Sequence, residues 1–143
     1  MELREVMTPN PECIPPDTTL KEAAAKMRDH DIGDLLVCED DRLVGIVTDR
    51  DIAIRATADG KTPGKAKVRD VMSAGVVYCF EDQTHEEAAR VMSDKQIRRL
   101  PILNREKRLV GIVSLGDLAL QTNDEHTVEQ TLEKVCEPVG AGT

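Results

Sequence analysis

The sequence predicts an α+β fold made of two copies of a small β-α-β-β-α unit. Three observations lead there. The block Leu43-Val44-Gly45-Ile46-Val47-Thr48-Asp49-Arg50-Asp51-Ile52 returns 66 residues later as Leu109-Val110-Gly111-Ile112-Val113-Ser114-Leu115-Gly116-Asp117-Leu118. At an offset of 65, Val6-Met7-Thr8 returns as Val71-Met72-Ser73, and Asp17, Thr19, Glu22, Ala23, Met27, Asp29 and Ile32 return as Asp82, Thr84, Glu87, Ala88, Met92, Asp94 and Ile97. Each copy alternates a helical apolar stripe with short apolar runs of strand character. Two long copies do not make a solenoid, which stacks three or more shorter repeats. They read as two half-domains that bury their faces against each other. A chain of 143 residues can bury a core, but falls short of the roughly 250 of a (β/α)₈ barrel.

The elements follow in order. Thr19-x-x-Glu22 and Thr84-x-x-Glu87 are capping boxes that open the first helix of each copy. Leu20, Ala23, Ala24 and Met27 form the apolar face of one helix; Ala88, Val91 and Met92 form that of its counterpart. Leu35-Leu36-Val37 and Leu100-Pro101-Ile102 read as short buried strands. Asp40-Asp41 and Asn104-Arg105-Glu106 are hairpin turns into the strands at 43–47 and 109–113. The rise in offset places one extra residue in the turn near Asn104. Helices follow Asp51 and Asp117. The reading is thus a first repeat at 1–57, a linker at 58–67 carrying Gly60, Pro63 and Gly64, a second repeat at 68–121 and a tail at 122–143. In that tail 129–135 reads as a short helix and 136–143 as a loose end.

Composition narrows the function. The chain carries 27 acids against 19 bases, a formal net charge of −8, which opposes a nucleic-acid backbone. One Tyr, one Phe and no Trp leave no platform for base stacking. No apolar run approaches the roughly 20 residues of a membrane span, and the first residues lack the apolar core of a signal peptide. The expectation is a cytoplasmic protein without a nucleic-acid or membrane partner. Cys13, Cys38, Cys79 and Cys136 show no C-x-x-C spacing. His30, His85 and His126 are scattered away from them. No metal ligand set and no catalytic nucleophile is expected, and the thiols read as small buried hydrophobes.

Thr48-x-x-Asp51 and Ser114-x-x-Asp117 support two readings. A hydroxyl followed three residues later by a carboxylate is a helix N-cap signature. The same geometry suits a nucleotide. The hydroxyl can bond a phosphate or ribose oxygen, and the carboxylate can accept from ribose hydroxyls. Gly45 and Gly111 sit within strands, where glycine marks close approach of another group.

With these blocks in place the chain resembles the CBS-domain family, named for cystathionine β-synthase, over about residues 1 to 120. The marks are Val-Met-Thr-Pro and Val-Met-Ser, Ile97-Arg98-Arg99-Leu100-Pro101-Ile102, and the two Gly-Ile-Val-Thr/Ser-x-x-Asp blocks. It resembles a stand-alone CBS pair, and also the regulatory insert of inosine monophosphate dehydrogenase without its barrel. The resemblance implies tandem repeats about a pseudo-twofold axis, two clefts, and a homodimer. It implies a non-catalytic regulatory or sensor module with no required cofactor. Its ligand would be an adenosine nucleotide such as AMP, ADP or ATP, or S-adenosylmethionine. Carried onto this chain, it groups Thr48, Arg50 and Asp51 with Val76, Val77, Arg98 and Arg99, a cleft suited to a phosphate. Arg55, one helical turn on, could reach the same phosphate. The resemblance groups Ser114, Gly116 and Asp117 with Cys13, Ile14, Gly33 and Asp34, a cleft that is empty or takes an uncharged or cationic adenosyl group. Cys13 and Cys38 fall on neighbouring strands, as a redox pair or as two buried thiols. The alternatives are a scaffold or stress-related interaction protein with degenerate clefts, or a redox- or metal-responsive protein using its cysteines.

Overall fold

The computed structural model describes residues 1–137. In chain order the elements are α1 (Leu3–Val6), β1 (Thr8–Pro9), β2 (Cys13–Ile14), α2 (Leu20–His30), β3 (Asp34–Glu39) and β4 (Arg42–Thr48), then a π-wound helical segment (Asp51–Ala56) and a 3₁₀ turn (Val68–Asp70). After these come β5 (Cys79–Phe80), α3 (His85–Lys95), β6 (Arg99–Leu103), β7 (Leu109–Ser114), α4 (Leu115–Gln121) and α5 (Glu125–Val135). The α+β class and the repeated order of elements follow the sequence reading. The chain divides into two compact units. One is Glu12–Val76; the other joins Met1–Pro11 to the chain from Val77 onward.

In the unit Glu12–Val76 the sheet order is β2-β3-β4. β2 and β3 are parallel, connected through α2. β3 and β4 form an antiparallel hairpin. Asp40 and Asp41, both with positive φ (52° and 66°), make its two-residue turn, the conformation whose twist matches paired strands. In the other unit the sheet runs β1-β7-β6-β5. Its hairpin loop is longer by the extra residue: the Asn104 carboxamide oxygen accepts from the backbone of Glu106 and Arg108, and Lys107 takes a φ of 63°.

Each sheet borrows the lead-in segment of the other repeat. Thr8 pairs with Ile112 of β7, and Ser73 bridges to Ile46 of β4 through two backbone hydrogen bonds of 2.9 and 3.0 Å. This exchange explains the strand glycines. A Cβ on Gly45 would lie 2.7 Å from Met72 Sδ and 3.0 Å from the Ser73 carbonyl oxygen; on Gly111 it would collide with Met7 Sδ and come within 3.1 Å of the Thr8 carbonyl. The group approaching each glycine is the methionine of the Val-Met-Thr/Ser motif, repeated because the contact is repeated.

The helices start where their caps predict. Thr19 Oγ1 accepts from the Glu22 amide at 3.1 Å and Thr84 Oγ1 from the Glu87 amide at 3.2 Å. Both helices end in a left-handed residue, Asp31 and Gln96, each at φ 53°. On α2 the buried stripe is Leu20, Ala23 and Met27. Ala24, expected on that face, is exposed, because the stripe is narrower than the sequence spacing allows. On α3 Ala88, Ala89 and Met92 are buried together with His85, and Val91 is half-buried. Separate apolar clusters fill the units: Leu20, Val37, Val47 and Val68 in one, Met92, Leu100, Ile102 and Leu118 in the other. α5 begins four residues before the expected 129, because Asp124 caps it by accepting from the Thr127 amide at 3.2 Å and the Thr127 hydroxyl at 2.7 Å. Of the expected loose end at 136–143, residues 138–143 lie outside the described residues.

Candidate functional site

Both copies of the S/T-x-x-D block close as reciprocal N-caps. In the first, the Asp51 amide donates to Thr48 Oγ1 at 3.0 Å and the Thr48 amide donates to Asp51 Oδ2 at 2.9 Å. In the second, Asp117 N to Ser114 Oγ is 3.0 Å and Ser114 N to Asp117 Oδ2 is 2.9 Å. Each cap engages the Oδ2 oxygen of the carboxylate and one lone pair of the hydroxyl. The capping and ligand readings therefore describe the same atoms. The cap orients a carboxylate and a hydroxyl that can then meet a ribose or phosphate.

The surroundings of the two caps differ. Thr48 stands opposite Asp34 in the β3–β4 register. The Asp49 amide donates to the Gly33 carbonyl at 2.9 Å, and a Cβ on Gly33 would lie 3.2 Å from Asp49 Oδ2. Asp51 Oδ1 lies 3.7 Å from Arg55 Nε, and Arg55 Nη1 donates to the Val71 carbonyl at 3.0 Å. Arg55 is thus tied to its own unit. Arg50 is exposed, its amide donating to Asp49 Oδ1 at 2.7 Å.

Ser114 stands opposite Arg99 in the β6–β7 register, and the Leu115 amide donates to the Arg98 carbonyl at 2.8 Å. Arg98, Arg99, Ser114 and Gly116 line an open cavity of about 360 Å³ together with Val128 and Leu132 of α5. Arg98 Nη2 also contacts Cys136 Sγ at 3.2 Å. The strand register thus sets the arginines beside Ser114 and sets Gly33 and Asp34 beside Thr48. Within each unit the hairpin partner of the hydroxyl is the first residue of the same copy's second strand.

The remaining expected residues are strand or seam positions. Cys13 pairs with Leu36 and Ile14 with Val37. The Val76 amide donates to the Ala74 carbonyl, and Val77 packs against the core containing Leu100. Tyr78 packs edge-on against Phe80, ring centroids 5.5 Å apart. The four cysteines are free thiols. Burial, and then the neighbouring Cys13 thiol, push Cys38 up to about 12; burial, and then the Glu87 carboxylate, push Cys79 up to about 11. The fold therefore keeps both protonated where an unfolded thiol ionises, near pH 8.5. Their contribution to stability is complete below that pH and is lost as pH rises toward 11–12. Iodoacetamide at pH 8 is expected to label exposed Cys136 well before Cys38 or Cys79, read by peptide mass spectrometry. Equal labelling of Cys38 and Cys136 in the folded chain would contradict this burial.

One juxtaposition escaped sequence reasoning. His85 and Asp124 are 39 residues apart, yet Nε2 lies 3.1 Å from Asp124 Oδ2. No spacing pattern connects them; the packing of α5 on α3 does.

Comparison with known proteins places this geometry. The family model described as "CBS domain" matches residues 3–56 and 68–121. Hypoxic response protein 1 of Mycobacterium tuberculosis is 38% identical over 137 residues, covering 95% of this chain and 94% of that protein. Its crystal structure, with two coordinated zinc ions, superposes with a TM-score of 0.76 over 85% of this chain and 99% of that one, at 37% identity. CBSX2 in complex with AMP gives a TM-score of 0.71 at 25% identity, over 83% of this chain and 93% of that one. The CBS domain pair of MJ0100, in complex with 5′-methylthioadenosine and S-adenosyl-L-methionine, gives 0.68 at 27% identity, over 84% and 94%. Among the described residues no helix is long and apolar enough to cross a membrane.

Proposed function

As the chain belongs to the CBS-domain family, we propose that it is a non-catalytic sensor module whose ligand is an adenosine nucleotide with at least one phosphate. The carrying observation is the placement of Arg98 and Arg99 beside the Ser114–Asp117 cap. The guanidiniums supply a bidentate phosphate partner. The Ser114 hydroxyl donates to the same group, and Asp117 Oδ1 accepts from a ribose hydroxyl. The Thr48–Asp51 cap has Asp34 opposite Thr48 and the Arg55 cation already beside Asp51, and suits a neutral or cationic adenosyl group. The AMP complex of CBSX2 and the adenosyl complex of MJ0100 support both ligand types for this fold.

The module works in the cytoplasm as a homodimer. Ile54 (52% exposed) and Leu120 (84% exposed) occupy matched positions of the two copies, an apolar pair suited to association. A ligand acts on such a module through its different affinity for two packing states.

The test is a thermal-shift panel of the purified chain with AMP, ADP, ATP, NAD and S-adenosylmethionine at millimolar concentration. Binding adds RT ln(1 + [L]/Kd), about 2.7 kcal/mol at a hundredfold excess over Kd. A phosphate-bearing adenosine nucleotide is expected to raise the melting temperature. No shift from any of the five would overturn the proposal and leave the scaffold reading.

A further inference from the structure

α3 and α5 meet at three donor atoms of metal-ligand chemistry. His85 Nε2 lies 3.1 Å from Asp124 Oδ2 and 3.6 Å from Glu86 Oε1, and one ligand atom from each of the three residues fits within a mutual 4.8 Å. A tetrahedral ion with bonds of about 2.0–2.2 Å spaces its ligand atoms roughly 3.3–3.5 Å apart. The two distances from His85 stand close to that spacing, and the carboxylates lie within 4.8 Å of each other.

The two inner donors are held in place. His85 is only 7% exposed, its amide donates to the Met1 carbonyl at 2.9 Å, and its Nδ1 lies 3.2 Å from the Met1 amino nitrogen. Burial and the backbone bond hold the ring with Nε2 toward Asp124, and Nδ1–H can donate to the Met1 nitrogen once that amine is unprotonated. Asp124 is oriented by the Thr127 amide and hydroxyl. Outer hydrogen bonds of this kind are what position metal ligands. The third donor, Glu86, is exposed and lines a groove of about 830 Å³ between α3 and α5. The Glu86 carboxylate is open to solvent on this side, from which an ion and its water ligand would arrive. The His85–Asp124 contact brings one carboxylate to Nε2, and the neighbouring Glu86 brings a second to 3.6 Å of the same nitrogen.

We propose that His85, Glu86 and Asp124 bind one divalent cation of the zinc class, with water completing the tetrahedron. The ion takes the place of the proton between His85 Nε2 and Asp124, one proton leaves to solvent, the ring keeps its other proton on Nδ1 toward the Met1 nitrogen, and the ion clips α5 onto α3. This site is separate from the Ser114–Arg99 cavity and from the cysteines.

The experiment titrates the metal-free full chain with Zn²⁺ alone, read by calorimetry and by metal analysis after dialysis. One ion per chain is expected, with a rise in melting temperature. Glu86→Gln, at an exposed position that carries no core packing, is expected to weaken binding about tenfold or more. Asp124→Asn is expected to remove it, and Cys136→Ser to leave it unchanged. No zinc uptake by the wild-type chain would overturn the proposal. So would uptake undiminished in both Glu86→Gln and Asp124→Asn, which would place the ion elsewhere. Neither outcome bears on nucleotide binding.

Discussion

Asp117→Ala is expected to abolish most of the thermal shift produced by AMP, while Asp51→Ala leaves most of it in place. Both substitutions remove the carboxylate half of a capping box and leave its hydroxyl half in place, at about 0.5–1.5 kcal/mol of stability each. That loss is common to the pair and cancels when each variant is compared with its own unliganded state. The difference lies in what surrounds each cap. Asp117 is hydrogen-bonded to Ser114, which lines a cavity with Arg98 and Arg99, whereas Asp51 is hydrogen-bonded to Thr48, which stands opposite Asp34 in the β3–β4 register. Hydrogen bonds to charged groups are worth about 1.5–3 kcal/mol, so Asp117→Ala should weaken AMP by roughly ten- to a hundredfold. Arg99→Ala should weaken AMP in the same direction while keeping the cap. If Asp51→Ala removes the AMP shift and Asp117→Ala does not, the phosphate belongs to the other cap, and the charge argument made from the strand register fails.

Gly111→Val is expected to destabilise the unliganded chain by about 1–3 kcal/mol, the usual cost of forcing atoms into a filled core. For a chain of this size that lowers the melting temperature by roughly 3–10 °C. The added Cβ meets Met7 Sδ, which can swing aside only by leaving its packed position, and the Thr8 carbonyl, which is backbone held in the β1–β7 pair. Gly45→Val faces the matching obstacles, Met72 and the Ser73 carbonyl, and should fall in the same range. A cycle of Gly111→Ala with Met7→Ala tests the cause. The double variant should cost less than the sum of the singles, because truncating Met7 opens the space that the new methyl needs. Strict additivity in thermal or urea unfolding would show that the glycine serves another purpose.

The duplicated signals were legible because they are local. Thr19, Thr84, Ser114 and Thr48 accept from amides three residues on, so caps could be read from spacing alone. The Asp40-Asp41 turn and the extra residue near Asn104 were likewise visible as chain-local chemistry. The glycines were half legible: a close approach was expected at Gly45 and Gly111, but its source was not. Met7 and Met72 stood within the repeated motif, unassigned, because a contact between segments 104 and 27 residues apart leaves no periodic trace. The start of α5 was placed late because Asp124 was not read as its cap.

By itself, the sequence determined that this protein is a duplicated α+β module, where its helices begin, and that a capped hydroxyl–carboxylate pair occurs twice. These follow from interactions that span three or four residues. Only the tertiary structure decided which charged residue stands opposite each hydroxyl within its own hairpin. A hairpin register sets Arg99 against Ser114 and Asp34 against Thr48, and helix packing sets Asp124 against His85. Those pairings depend on strand alignment and on burial of apolar faces, which act between segments distant in the chain.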